Sequence, residues 1–276
     1  MTSEMIPPIK LGFIGSGKMA QAIAGGVTRA FPDSLPEILY HDPSQAAGTA
    51  FEQAVQHAQS LQSNNEVCVS ATTIILAVKP QVLKQVCREL SESSQHALII
   101  SIAAGIPLGP LQEWLGTDRV IRVMPNTPCL VGEGVSGFVA GPGTSSEDRE
   151  ICKMLFASLG VCVEVNDQQL DAVTGLSGSG PAYVFAMIEA LSDGGVLAGL
   201  TREVATQLAI QTLLGSAKLA AESSHHPAVL REQVTSPGGT TACGLKALED
   251  HAFRAAIISA VRASAERAGE MGRTLN

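Results

Sequence analysis

The sequence predicts an α/β protein in which a doubly wound, mostly parallel sheet of the Rossmann type is followed by an all-helical C-terminal domain. Through about the first 165 residues, short β-type runs alternate with helical patterns, which is typical of a parallel sheet covered by helices on both faces. From residue 166 onward, long stretches rich in Ala and Leu have helical spacing and contain no convincing strand. We therefore expect two domains, residues 1–165 and residues 166–276.

Seven apolar runs are the expected strands, and several are apolar at consecutive positions, as in strands buried on both faces. They are residues 9–14, 37–41, 73–78, 97–102, 120–124, 135–140 and 161–165. Helical patterns cover residues 19–30, 44–60, 81–92, 146–159, 182–197, 202–223 and 252–271. The last three helical patterns have many small residues and few charges, so a single copy of the chain would expose apolar stripes on these helices. We expect a homo-oligomer formed through this C-terminal dimerisation domain.

The composition excludes several classes of protein. Apolar residues make up 45% of the 276 positions and charged residues 16%, a balance too hydrophobic for a disordered chain. The net charge of −8, with 18 basic against 26 acidic residues, argues against a nucleic-acid partner. The most apolar stretch, residues 97–111, is too short to span a membrane and is broken by two prolines. We expect neither nucleic acid nor a membrane as a partner.

The six cysteines occur singly, with no C-x-x-C pair and no histidine nearby at metal-ligand spacing. This usage predicts reduced thiols and no metal site. The N-terminal segment contains Glu4 and two prolines where an export signal needs a basic start and an apolar run. We therefore expect a cytoplasmic protein.

A glycine-rich turn follows the first strand and opens the first helix, with the sequence Gly15-Ser16-Gly17-Lys18-Met19-Ala20. It fits G-x-G-x-x-A, in which Gly15 allows the tight bend, Gly17 lets the backbone approach a pyrophosphate and Ala20 permits close packing of helix and strand. The N–H groups of the helix N-terminus then face the phosphate oxygens. A glycine-rich turn without a ligand is the alternative, but the surrounding βαβ pattern favours a dinucleotide site.

Asp42 lies at the end of the second strand and bears on the choice of cofactor. A carboxylate at this point accepts hydrogen bonds from the adenosine ribose of NAD, and it repels the 2′-phosphate of NADP. No arginine follows it closely, so the sequence leans toward NADH. A turn or capping role beside Pro43 explains the residue equally well.

Two further strand ends place residues at the sheet edge where open α/β folds bind ligands. Lys79 precedes Pro80, and it is either a cofactor-edge residue or an ordinary solvated lysine. Asn126 stands between Pro125 and Pro128, which fix the chain so that the amide can be held near a nicotinamide. An interdomain turn is the alternative for Asn126.

Two segments of the helical domain, residues 178–181 and 236–241, combine glycines with hydroxyl side chains and precede helices. Exposed backbone N–H groups there suit a carboxylate, and Ser and Thr add short hydrogen bonds. Simple helix capping is the alternative for each segment. Two such loops in one small domain favour a site for a small anionic molecule.

No G-x-S-x-G elbow, Walker sequence, Cys/His arrangement or set of paired carboxylates is visible in the sequence. Hydride transfer needs none of these, because a nicotinamide cofactor supplies the reactivity and the protein supplies placement and electrostatics. The sequence therefore favours a reductase that acts on an already activated acceptor.

From about Leu11 to Met271, the sequence resembles pyrroline-5-carboxylate reductase, the enzyme that closes proline biosynthesis. Six segments carry the resemblance: FIGSGKMA (13–20), ILAVKPQ (75–81), RVMPNTP (122–128), LSGSGPAY (176–183), DGGVLAGL (193–200) and TSPGGTT (235–241). The first two occur loosely in many nucleotide-binding enzymes, whereas the order and spacing of the last four are much more specific. The resemblance implies reduction of 1-pyrroline-5-carboxylate to L-proline by NADPH or NADH.

Motifs and resemblance together imply a set of site residues in both domains. For the cofactor they are Gly15, Ser16, Gly17, Lys18, Met19, Asp42, Asn64, Val78, Lys79, Ala103, Ala104 and Asn126. For the substrate they are Asp167, Ser236, Pro237, Gly238, Gly239, Thr240 and Thr241. Thr241, whose hydroxyl suits the ring nitrogen, and Lys79 are the expected catalytic residues.

One position departs from the family pattern. Many members that use NADPH have an uncharged polar residue, sometimes followed by arginine, where Asp42 stands, which puts the usual preference for NADPH in doubt. Two other functions stay open: a related two-domain reductase for another cyclic imine or a 3-hydroxy acid, and a dinucleotide sensor without catalysis. The helical half lacks an evident catalytic lysine, which argues against a hydroxy acid, and a sensor has no need of a second carboxylate-suited loop.

Overall fold

The computed structural model describes residues 9–32 and 36–274. The chain forms two compact units: one contains the chain up to Ser179 and again from Ala263 onward, and the other is Gly180–Arg262. The predicted division after residue 165 coincides with the end of the sheet, whereas the first unit continues to Ser179. The assignment of residues 1–165 and 166–276 to two domains stays a prediction.

The first unit is built on an eight-stranded sheet. In the described residues its strands are β1 Lys10–Ile14, β2 Glu37–His41, β3 Gln59–Ser60, β4 Thr73–Leu76, β5 Leu98–Ser101, β6 Val120–Met124, β7 Gly134–Ala140 and β8 Gly160–Glu164. Their order is β3-β2-β1-β4-β5-β6-β7-β8, and all neighbours run parallel except β6 and β7. The mostly parallel, doubly wound sheet that the sequence predicts is confirmed.

Helices cover both faces of this sheet. They are α1 Lys18–Ala30, α2 Gln45–Ala54, α3 Asn64–Ser70, α4 Pro80–Leu90, α5 Leu108–Leu115 and α6 Ser146–Ala157, with a 3₁₀ turn at Thr127–Val131. Side chains alternate along each strand, so Phe13 packs into the hydrophobic cluster on one face and Ile14 into the cluster on the other. Burial on both faces explains why the strands are apolar at consecutive positions.

The sequence prediction was wrong at three elements of this unit. The helix predicted over residues 44–60 ends at Ala54, after which His57 adopts a left-handed φ of 69° and the short β3 follows. The helix α3 was not predicted because its seven residues are too few for a clear helical period. The helix α5 was not predicted because its prolines indicate a turn, although a helix accepts proline in its first turn.

The remaining elements are helical, as predicted for the C-terminal part. They are α7 Asp167–Val173, a π-helical turn at Thr174–Gly178, α8 Gly180–Leu197, α9 Arg202–Glu222, α10 Pro227–Gln233, α11 Thr240–Asp250 and α12 Phe253–Thr274. The loop predicted at residues 178–181 is wrong, because the Ser179 N–H donates to the Thr174 carbonyl (2.9 Å) and α8 begins at Gly180. Across the two described ranges, no helix combines the length and apolarity needed to cross a bilayer.

Candidate functional site

The glycine turn after β1 has the geometry that its sequence predicts. Gly15 has a φ of +91°, and a Cβ placed on it would approach the Ala77 carbonyl oxygen to 2.9 Å and Val78 Cγ1 to 3.1 Å. Its N–H donates to the carbonyl of His41, the last residue of β2 (2.9 Å). The bend is therefore seated between β2 and the chain that follows β4, and it admits only glycine at this position.

The N-terminus of α1 is open toward solvent. Gly17 is the N-cap, no side chain caps the helix, and a Cβ placed on Gly17 would meet nothing within 4 Å. The N–H groups of Lys18 and Met19 therefore have no acceptor from a side chain at the N-cap position. An open helix N-terminus beside an uncrowded glycine fits a pyrophosphate group. Gln21 supports the turn by donating from Nε2 to the Ser16 carbonyl (3.0 Å).

Asp42 immediately follows β2, and its carboxylate is directed at the glycine turn. Its Oδ2 accepts hydrogen bonds from the backbone N–H (2.8 Å) and the hydroxyl (3.0 Å) of Ser16, which is completely buried. Its Oδ1 accepts from the Ser44 N–H (2.8 Å), so the residue also closes the turn that leads into α2. The turn role that the sequence left as an alternative is therefore present, together with an unpredicted contact to the glycine turn.

The other predicted cofactor residues lie at the same edge of the sheet, where the parallel strands end. Asn64 is the first residue of α3, Val78 and Lys79 follow β4, and Ala103 and Ala104 follow β5. Lys79 is exposed and is the N-cap of α4, whereas Ala103 is buried and its N–H donates to the Ser101 hydroxyl (3.4 Å). These residues thus follow the carboxyl ends of β3, β4 and β5, at the ligand-binding edge of open α/β sheets.

Asn126 follows β6 at this edge, but its side chain is used within the protein. The amide Nδ2 donates to the Ser177 carbonyl (3.1 Å) in the π-helical turn, and Oδ1 accepts from the Val135 N–H (3.0 Å). Oδ1 also lies 3.9 Å from the Cys129 sulfur, and burial raises the pKa of that thiol, which keeps it a neutral donor. The residue is 8% exposed, and these bonds fix the backbone around the strand end, while its predicted place near the nicotinamide stays a prediction.

Asp167, the first residue of α7, forms an ion pair that the sequence did not predict. Its Oδ1 lies 2.9 Å from Nη1 of Arg122, and Asp171 Oδ1 lies 3.7 Å from Nη2. The Arg122 side chain is only 4% exposed, and its Nε has no partner in the described part of the chain. These groups line a cavity of about 210 Å³ within the first unit. No local spacing signals this pairing, because Arg122 and Asp167 are 45 residues apart.

The predicted substrate residues 236–241 lie in the second unit and form the turn into α11. Gly238 has a φ of +65°, and Gly239 is the N-cap of α11 with no side-chain cap. The N–H groups of Thr240 and Thr241 at the start of the 11-residue helix therefore have no partner from a capping side chain. This arrangement suits a carboxylate, as the sequence predicts.

The buried thiols do not offer a nucleophile. Burial raises the pKa of Cys87 to about 12, and burial likewise raises that of Cys162 to about 11, with smaller influences from Lys153 and Cys129. Thiolate is the reactive form, so these groups are inert at neutral pH. Within the described ranges no cluster of three or more His, Cys, Asp or Glu side chains is arranged to hold a metal ion, and all six cysteines are free.

Two family models match the chain. The first, described as pyrroline-5-carboxylate reductase dimerisation, matches residues 167–271. The second, described as NADP oxidoreductase coenzyme F420-dependent, matches residues 10–105. The first matches the segment that begins at α7, and the second matches the segment that carries the glycine turn and most of the predicted cofactor residues.

Relatives and solved structures extend the match to nearly the whole chain. The pyrroline-5-carboxylate reductase of Arabidopsis thaliana is 46% identical over 269 residues, which is 96% of this chain and 96% of the plant protein. The solved structure of a pyrroline-5-carboxylate reductase from Coxiella burnetii has a TM-score of 0.89 at 33% identity, and the match covers 96% of this chain and 99% of that one. The Plasmodium falciparum pyrroline carboxylate reductase, with NADP bound, has a TM-score of 0.85 at 35% identity and covers 96% and 98%. On this full-length agreement, the chain belongs to the pyrroline-5-carboxylate reductase family.

Proposed function

We propose that this chain reduces the ring imine of 1-pyrroline-5-carboxylate to L-proline with NADH or NADPH. The observation that carries the proposal is the identity of 40% to 46% with pyrroline-5-carboxylate reductases over at least 95% of the chain. The geometry of the glycine turn and of the turn into α11 supports it, because one suits a dinucleotide and the other suits a carboxylate.

The cofactor site is at the carboxyl edge of the sheet in the first unit. A bound nicotinamide dinucleotide supplies the hydride. The chain contributes the open N–H groups at the start of α1 for the pyrophosphate and the bend at Gly15 that lets the backbone come close. Asn64 is proposed at the adenosine end, and Val78, Lys79 and Ala103 are proposed on the nicotinamide side. The buried Asn126 amide holds the end of β6 in place from within the protein.

The substrate carboxylate is held by the turn into α11. The first-turn N–H groups of that helix carry partial positive charge and have no capping side chain, so they can donate hydrogen bonds to an anion. The Thr241 hydroxyl is the proposed partner of the ring nitrogen. Placement of a protonated imine accounts for much of the catalysis, because its carbon is already a good hydride acceptor. The ion pair of Asp167 with Arg122 supports a positioning role for Asp167 at the start of α7.

The experiment is the decrease in absorbance at 340 nm with NADH or NADPH and pyrroline-5-carboxylate. We expect turnover by the wild type and a loss in kcat/KM of about 5- to 150-fold in Thr241→Ala, equivalent to about 1–3 kcal/mol for a lost polar contact in the transition state. Thr212→Ala is the matched control, because the Thr212 hydroxyl only donates to the Leu208 carbonyl on the same helix. Cofactor binding without any turnover of this imine contradicts the proposed function and favours a sensor.

The protein is proposed to act as a homo-oligomer assembled through the helical part of the chain. The family model that matches residues 167–271 carries the description pyrroline-5-carboxylate reductase dimerisation. In addition, many large apolar side chains of the second unit are exposed in a single chain. Burying such a surface against a second copy removes it from water. The cytoplasmic location and the lack of a nucleic-acid partner stay predictions from composition.

A further inference from the structure

We infer that Asp42 makes this chain select NADH over NADPH, an inference that rests on the proposed function. Dinucleotide folds of this kind read the adenosine ribose with the residue at the end of the second strand. A carboxylate there accepts from the 2′-hydroxyl of NADH, and it repels the 2′-phosphate of NADPH. Asp42 occupies this position directly after His41, the last residue of β2.

The position of the carboxylate is fixed by three hydrogen bonds from the protein. Oδ2 accepts from both the N–H (2.8 Å) and the hydroxyl (3.0 Å) of Ser16, and Oδ1 accepts from the Ser44 N–H (2.8 Å). The side chain therefore cannot swing away from an incoming phosphate without giving up these bonds. Each carboxylate oxygen offers about two acceptor sites, so Oδ1, with one bond, retains a site for a ribose hydroxyl.

The surrounding charges offer a 2′-phosphate no compensation. Between Arg29 and Lys79 the sequence contains five acidic residues and no lysine or arginine, and this span forms β2, α2, β3 and α3. Lys10 lies at the opposite end of β1 and is paired with Glu37 (2.8 Å). Lys18 is the first residue of α1, in the turn that is proposed to hold the pyrophosphate.

The two histidines of the span do not replace an arginine. The ring of His41 is held by a hydrogen bond between Nδ1 and the Leu61 carbonyl (2.9 Å), which leaves one ring nitrogen, and His57 lies in the turn before β3. Neither ring offers the permanent charge and the two-pronged donor geometry with which an arginine guanidinium binds a phosphate. A phosphate that meets a fixed carboxylate without a cation loses affinity at any pH at which both are charged.

The test is the dissociation constant, measured by titration calorimetry at pH 8 in the absence of substrate. For the wild type we expect NADH to bind at least about tenfold more tightly than NADPH, and 5′-AMP to bind more tightly than adenosine 2′,5′-bisphosphate. The ratio of the two dissociation constants should shrink as salt is raised from about 0.05 to 0.5 M, because the repulsion is screened.

Two variants separate selectivity from support of the glycine turn. Asp42→Asn removes the charge and keeps an acceptor, and Asp42→Ser shortens the side chain; in both we expect the NADPH to NADH ratio of dissociation constants to fall at least about fivefold. If Asp42 only stabilised the glycine turn, both substitutions would weaken the binding of NADH and of NADPH by the same factor. Glu52→Gln on α2 is the control. The Glu52 carboxylate accepts from the hydroxyl of Tyr40 on β2 (2.7 Å), and loss of its charge should leave the ratio unchanged.

The outcomes of the two proposals are distinguishable. Equal or tighter binding of NADPH by the wild type overturns the inference, and so does a ratio that stays the same in Asp42→Asn and Asp42→Ser. Because binding is measured without substrate, a chain that prefers NADH but fails to reduce pyrroline-5-carboxylate supports the inference and contradicts only the proposed reaction.

Discussion

At the scale of single residues, Asp148 shows how a buried charge is stabilised in this protein. Its side chain is 2% exposed, and its carboxylate accepts from Arg119 Nε (3.0 Å) and Nη2 (2.7 Å) and from the Ser145 N–H (2.9 Å). Burial by itself raises the pKa of this carboxyl, but the bonds and charge of Arg119 and the bonds from Ser145 outweigh burial, so the pKa lies below its usual value. Asp148 thus links the first turn of α6 to Arg119, the residue before β6.

This pairing predicts a pH-dependent contribution to stability. Because the folded pKa is lowered, the contribution is present above the unfolded pKa of about 4 and is lost as the pH falls through the folded pKa. Asp148→Asn should cost about 1–3 kcal/mol at pH 7, where partial exposure of Arg119 limits the loss, and should flatten the decline in stability at lower pH. Urea unfolding at pH 7, 5 and 3 measures both effects.

The control is Lys153→Gln, which breaks an exposed ion pair with Glu150 on the same helix. Exposed pairs contribute little, so its free energy of unfolding should stay close to the wild-type value at each pH. If Asp148→Asn and the wild type lose stability in parallel between pH 5 and 3, the carboxyl is not the group that titrates.

Local spacing predicts some site residues and misses others for a physical reason. The turn at Gly15 and Gly17 was predictable, because a tight bend and a close approach require glycine at fixed intervals. The bond from Ser16 to Asp42 joins residues 26 apart, and that from Arg122 to Asp167 joins residues 45 apart. Such pairs depend on which strands become neighbours, so the sequence identified Asp42 as a candidate without its contact to the turn.

At the scale of elements, the packing of α1 on the sheet predicts opposite effects for two adjacent glycines. A Cβ on Gly26 would lie 2.1 Å from Cδ2 and 3.2 Å from Cγ of Leu159, which is completely buried and has no room to yield. A Cβ on Gly25 would meet the flexible end of the Arg29 side chain at 3.3 Å and would be in ordinary contact with the Ala54 carbonyl oxygen at 3.7 Å. Both glycines are in the helix interior, where alanine is favoured by about 1 kcal/mol.

We therefore expect Gly25→Ala to raise the melting temperature or leave it unchanged, and Gly26→Ala to lower it. The overlap in Gly26→Ala should cost about 1–3 kcal/mol, which exceeds the gain in helix propensity. Each variant is the control for the other, because the chemical change is identical and only the neighbour differs. The melting temperature of each variant is measured by thermal unfolding monitored with circular dichroism. Equal changes of melting temperature in the same direction would show that α1 does not pack closely on Leu159.

The success of element prediction follows the strength of the periodic signal. Strands buried on both faces, such as β4 and β5, are buried at every position and mostly apolar, and they were predicted within about two residues of their ends. The helix α3 is seven residues long and the strand β3 only two, so neither is long enough to show a period. The segment 178–181 was predicted as a loop because its glycines, serine and proline are typical of turns, whereas the structure has the end of a π-helical turn and the start of α8 there.

At the scale of the whole molecule, the second unit lacks a hydrophobic interior of its own. Most of its large apolar side chains are exposed in a single chain, including Phe185 (61% exposed), Leu208 (53%) and Leu214 (57%). Burying a leucine side chain completely contributes about 1.5–3 kcal/mol, so several of them on one surface favour association strongly. The exposed apolar side chains and the match of residues 167–271 to a dimerisation model both support the prediction of a homo-oligomer.

We expect sedimentation velocity at micromolar concentration to give at least twice the chain mass of 28.6 kDa for the wild type. The double variant Leu208→Glu and Leu214→Glu, both on α9, should sediment as a monomer. Association would bury two unpaired carboxylates, and that free-energy penalty exceeds what the remaining apolar contacts contribute. Val69→Glu replaces a comparably exposed valine (60%) on α3 in the first unit and should keep the wild-type mass. A monomeric wild type contradicts oligomerisation altogether. An oligomer that survives in the α9 variant but dissociates in Val69→Glu would place the contact surface on the sheet-containing unit instead.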